Sequence, residues 1–151
     1  MEYQTLKRGK IYLYKATKVD GLWSNKKALP FNNVTYSLRN PSISKDSKTL
    51  YFSSDMPEGL GGEDIWKVSV DGDTYGTPEN LGESVNTEGN DSFPFITDND
   101  VLYFSSDARQ GLGGLDVFSI DLNKSNDVLF RKPNRALLLF RVNSNNGSAC
   151  P

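Results

Sequence analysis

Apolar positions in this chain come in short clusters and never form a long helical stripe. Leu50, Tyr51 and Phe52 are consecutive, and so are Leu102, Tyr103 and Phe104. Asp64 to Val70 and Asp116 to Leu122 alternate loosely between apolar and polar residues. Between these runs lie Gly, Pro, Asn and Asp clusters such as Glu58–Gly62 and Asp98–Asp100. Short runs punctuated in this way read as β-strands joined by turns. Strict alternation is missing where two or three apolar residues are adjacent. Such strands are expected to be covered on both faces of their sheet.

The same text is written twice. LYFSSD occupies Leu50–Asp55 and Leu102–Asp107, and GLGGEDIW at Gly59–Trp66 returns as GLGGLDVF at Gly111–Phe118. Both blocks recur 52 residues apart. Trp23–Leu29 matches Tyr75–Leu81 at the same spacing, and Pro41–Ser44 matches Pro94–Thr97 one residue further. Self-similarity at a fixed period marks a repeat architecture. Four strands in roughly 50 residues, with tight polar turns, is the size of one propeller blade. The expected fold is all-β: four-stranded antiparallel blades, about two and a half of them, in an incomplete propeller. The expected divisions are a partial blade of outer strands at 1–40, a blade at 41–92, the start of the next at 93–122, and an unassigned tail at 123–151.

These motifs, in this order, resemble the WD-like β-propeller repeat of the PD type found in TolB-like proteins. The nearest resemblance is to the propeller region of OmpA-family cell-envelope proteins of the Bacteroidetes kind. It runs from Leu13 to Leu122 and is carried by NLGESVNTEGNDSFPFITDNDVLYFSSD (Asn80–Asp107) and by the two GLGG blocks. The resemblance implies a periplasmic, outer-membrane-associated protein whose propeller contacts protein partners in the envelope. TolB-like repeats also resemble the propeller of some serine peptidases, which implies an alternative: a propeller segment of a hydrolase whose catalytic domain lies outside this chain. Two and a half blades do not close a ring. The chain is therefore expected to be a segment that meets the remaining blades of its propeller, or to self-associate through open edges.

Composition sharpens this picture. Hydrophobic residues make up 36% of the chain, which suits a turn-rich all-β domain. Residues 1–40 carry eight Lys/Arg against two Asp/Glu, whereas residues 41–121 carry four against sixteen. An acidic repeat core argues against nucleic acid as a partner. No run approaches the roughly 18 apolar residues of a membrane span, and MEYQTLKRGK at the start has no signal-peptide core. The single cysteine, Cys150, leaves the redox compartment open.

There is no histidine. That removes the usual general base and every Ser-His-Asp or Cys-His arrangement. No catalytic, cofactor or metal residues are expected. Asp71, Asp73, Asp98 and Asp100 suit a hard cation, but they fall where hairpin turns belong and turn chemistry accounts for them. The repeated polar residues are expected to be structural. Asp64 and Asp116 should accept N–H bonds from the preceding Gly loop. Ser53, Ser54 and Asp55, with Ser105, Ser106 and Asp107, should cap their strands in the same way. Gly59, Gly61 and Gly62, with Gly111, Gly113 and Gly114, should supply positive φ. Tyr14, Trp66 and Phe118 share one repeat position, and Trp23 and Tyr75 another, as inter-blade packing requires.

Overall fold

The computed structural model describes residues 9–124 and 128–130, the last by its backbone alone. The N-terminal stretch 1–8 and, within the tail, residues 125–127 and 131–151 lie outside the described residues. The described chain is all-β, with three antiparallel sheets, no closed barrel and no helix. Among the described residues no helix is long and apolar enough to cross a membrane.

The first sheet is a hairpin of β1 (Tyr14–Val19) and β2 (Leu22–Ala28). Its two-residue turn is Asp20-Gly21, both at positive φ, the pair that a tight hairpin of this hand favours. The second sheet is a full blade: β3 (Leu38–Ile43), β4 (Thr49–Ser54), β5 (Asp64–Asp71) and an outer strand in two pieces, β6 (Thr74–Tyr75) and β7 (Glu79–Asn80). Both pieces pair with β5, and Pro78, which has no N–H to give, lies in the gap between them. The third sheet repeats the plan with β8 (Asp91–Ile96), β9 (Val101–Ser106), β10 (Asp116–Asp121) and β11 (Leu129–Phe130). The hairpin therefore matches the third and fourth strands of a blade.

Three boundaries differ from the expectation. Blades open at Leu38 and Asp91, not at residues 41 and 93, because both innermost strands begin before their proline. Each carries a bulge there, with Asn40 or Phe93 at positive φ just ahead of Pro41 or Pro94. A bulge is where a strand tolerates proline. Residues beyond Leu122 also continue the sheet: Leu129 and Phe130 pair with Ser119 and Phe118, so the second blade has its fourth strand. The repeat text had vanished there, while the backbone pairing had not.

Packing lies between the sheets. Leu13 and Leu29 of the hairpin join Leu38, Phe52, Trp66 and Val68 in one core. Tyr51, Ile65 and Val85 join Ile96, Leu102, Phe104, Phe118 and Ile120 in another. Adjacent residues of β4, Tyr51 and Phe52, thus enter opposite cores. This is why the strands are apolar on both faces.

Candidate functional site

Asp64 is buried at the base of the first Gly loop. Its carboxylate accepts the N–H groups of Leu60 and Gly61 and the side-chain N–H of Asn80. Asp116 accepts the N–H of Leu112 and Gly113. A loop this tight turns its amides inward, and a carboxylate at its exit satisfies them.

The glycines act differently in the two copies. Gly113 and Gly114 have φ of 107° and 72°, a region that favours glycine. Gly61 and Gly62 lie outside it. A Cβ on Gly61 would overlap the carbonyl oxygens of Thr87 and Gly89, and one on Gly62 would meet Asn90 Oδ1. Here the loop presses against the chain that leads into the next blade, and Gly62 N–H donates to Gly89 O at 2.8 Å. The expectation of positive φ is corrected for Gly59, Gly61, Gly62 and Gly111: they are glycine for close approach, Gly59 and Gly111 to the carboxylates of Asp64 and Asp116.

The Ser-Ser-Asp triplets do not cap their own strands. Asp55 accepts the N–H of Ser37, and Asp107 the N–H of Asn90 at 2.7 Å. Ser37 and Asn90 each precede the innermost strand of the same blade. Each aspartate therefore fixes the point where the chain enters a blade. Ser54 Oγ donates to Ser37 O, and Ser53 Oγ bonds Asn40 Oδ1. Ser106 Oγ is buried with no hydrogen-bond partner among the described residues, and Ser105 lies half-buried opposite Val117 and Ser92. Asp107 is held below the usual carboxylate range by the Asn90 amide and side chain. Asp55 is raised by burial, but Lys10 and the Ser37 amide together bring it below that range.

A second repeated device escaped the sequence reading. Asn86 clamps Ile65, accepting its N–H at 2.8 Å and donating to its C=O at 2.9 Å. Asn32 does the same to Leu13, at 2.9 and 2.8 Å. Leu81 N–H then bonds Ile65 O, and Leu29 N–H bonds Leu13 O. Arg109 was missed as well. Its guanidinium lies over Phe104 and donates to the carbonyls of Glu83 and Ser84 in the preceding blade's loop.

The turn carboxylates are not gathered: among the described residues no three metal-type ligands come together. Asp73 instead bridges Lys15 and Lys27 of the hairpin at 2.7 and 2.6 Å, and Asp98 pairs with Lys45. Bonds from Lys15 and Lys27 hold Asp73 at about 2.

Equivalent aromatics fare unequally. Trp66 is 5% exposed in the first core, while Tyr14, at the same repeat position, is 49% exposed. Trp23 is likewise exposed where Tyr75 packs against a core. Ile65 is fully covered, while its counterpart Val117 is 45% exposed, and Phe95 of the same blade is exposed too. The expectation that all these rings pack between blades is corrected: they pack only where a blade lies on that side. Among the described residues two apolar faces are exposed, one on the hairpin and one on the second blade. Compared with family models and with curated proteins, the chain matches none.

Proposed function

We propose that this chain is a non-catalytic repeat segment that binds protein partners through its open blade faces, as a scaffold module of a bacterial outer-membrane-associated envelope protein. The observation that carries the reading is the use of the repeated polar residues. Asp55, Asp64, Asp107 and Asp116 are each occupied by backbone amides of their own fold. Acids committed in this way do not face one another across a cleft, as glycoside hydrolysis requires. What is left for a partner is surface: Tyr14 and Trp23 at one end, Phe95 and Val117 at the other. Aromatic anchors on an exposed face are features of protein interfaces. The envelope setting comes from the sequence resemblance and belongs to the proposal.

Two measurements test it. Antibody to this chain should find the protein in the outer-membrane or periplasmic fraction of its source cells; recovery in the cytosol would remove the envelope assignment. The protein purified from those cells should turn over no chromogenic peptidase or esterase substrate. Turnover that survives purification would replace the scaffold reading with that of a hydrolase propeller.

A further inference from the structure

The hairpin and the first blade enclose a groove of about 410 Å³, floored by Pro41, Ile43, Leu50 and Val70 and walled by Leu13 and Tyr14. The corresponding space between the two blades is filled. Ile96 is 6% exposed there, whereas Ile43, its repeat equivalent, is 47% exposed. Leu102 is buried and Leu50 only half-buried. The difference is Tyr51. It stands on β4 opposite Lys67 and shares the core with Ile96 and Leu102. Lys15 is the repeat equivalent of Lys67, and among the described residues β1 has no strand on the side where β4 flanks β5.

That edge is ready to pair. Leu29 N–H reaches Leu13 O, and Asn32 takes both polar groups of Leu13. Backbone groups alternate along a strand, so the N–H and C=O of Tyr12 and Tyr14 point away from β2. They face the vacant side, above the groove.

We propose that this edge is a docking site for one kind of partner: an extended strand of the repeat's own LYFSSD type. It would run antiparallel to residues 12–17, as β4 does to β5. Its aromatic side chain would stand opposite Lys15 and enter the groove over Ile43 and Leu50. The Lys15–Asp73–Lys27 bridge lies beside that entry and keeps the hairpin against the blade. Backbone pairing supplies affinity, and the single apolar slot supplies selectivity for a residue at one register. The partner's identity rests on the scaffold reading. Pairing at β1 is measured independently of cellular location, so one can fail without the other.

The test uses the full chain and a synthetic peptide, SKTLYFSSD, the sequence of residues 47–55. Hydrogen exchange is followed at the amides of Tyr12 and Tyr14. Saturating peptide should slow both by at least tenfold, with the amides of β2 unchanged. A peptide with serine in place of its tyrosine should bind at least tenfold more weakly. Ile43→Lys in the chain should abolish the effect while Leu102 and Phe104 keep their protection, which separates a blocked groove from a lost fold. Amides of Tyr12 and Tyr14 already protected without peptide would overturn the proposal. So would equal binding of the two peptides, or protection at another strand edge.

Discussion

At the scale of single residues, the buried carboxylates carry the clearest consequences. Asp64 serves two loop amides and the Asn80 side chain in a site closed to water. Replacing it by Ala leaves buried donors unpaired, so Asp64→Ala should lower stability by about 1–3 kcal/mol. Asp116 does the same work in a more exposed loop, and its alanine variant should lose less. Urea denaturation of the two variants checks both the sign and the order. The glycines separate by mechanism. Gly61→Ala should cost about 1–3 kcal/mol through overlap with two carbonyls, and Gly61→Asn should be no better. At Gly113, asparagine should do better than alanine, because Asn visits the left-handed region more readily. Of these roles, the carboxylates were legible because Asp64 and Asp116 recur after the same Gly loop. The glycines were only half legible: identical text occurs in both copies, but only the first loop presses on a following blade.

At the scale of elements, the repeated unit is fastened by Asn32 and Asn86. They lie 54 residues apart while the strands repeat at 52, because the loops that hold them differ in length. Period matching therefore finds the strands and passes over their latches. The fourth strand of the second blade was illegible for a related reason: strand pairing at Leu129 and Phe130 is made by backbone, and no motif marks it. The latch makes a prediction about cooperativity. Asn32→Leu should free the hairpin alone, with faster exchange at Leu13 and Leu29 and no change in the blades' midpoint. Asn86→Leu should lower the midpoint itself, since it strips the buried Ile65 N–H inside the second core. The hairpin's other tie is acid-sensitive. Asp73 is lowered from 3.8 to about 2 by Lys15 first and Lys27 second. A depressed carboxylate stabilises above its unfolded value and loses that contribution as pH falls through the folded one. This surface tie should therefore hold down to about pH 4 and be lost between there and about pH 2, while Leu13 and Leu29 keep the hairpin packed on the blade. A carbon-detected titration of Asp73 should show that low midpoint, and Lys27→Ala should move it upward.

At the scale of the whole molecule, the period of the repeat made the number of blades in this chain readable from sequence, and the adjacent apolar residues made it readable that the strands are built to be covered on both sides. What the text did not show is which copies are covered in this chain. Trp66 and Tyr14 occupy the same repeat position, and only the presence of a neighbour distinguishes them. Burial of such a ring stabilises by roughly 1.5–3 kcal/mol, and in repeat proteins that stabilisation comes from nearest neighbours. Tyr14 and Trp23 at one end and Phe95 and Val117 at the other lack it among the described residues. The charge along the chain adds direction. Lys15, Lys18, Lys26 and Lys27 crowd the hairpin, with Lys26 only 4.0 Å from the Tyr14 ring, whereas the second blade is studded with Asp98, Asp100, Asp107, Asp116 and Asp121. A basic hairpin at one end and an acidic blade at the other, each with an exposed apolar face, favour head-to-tail contact, which does not close on itself in a pair. The purified chain should therefore sediment as a concentration-dependent mixture larger than a monomer and bind a hydrophobic dye. Raised salt should shift it back toward monomer, since exposed charges are screened. Trp23→Ser and Phe95→Ser should each reduce both association and dye binding, because either one removes half of the same contact. A compact monomer at all concentrations, with no dye bound, would overturn the prediction.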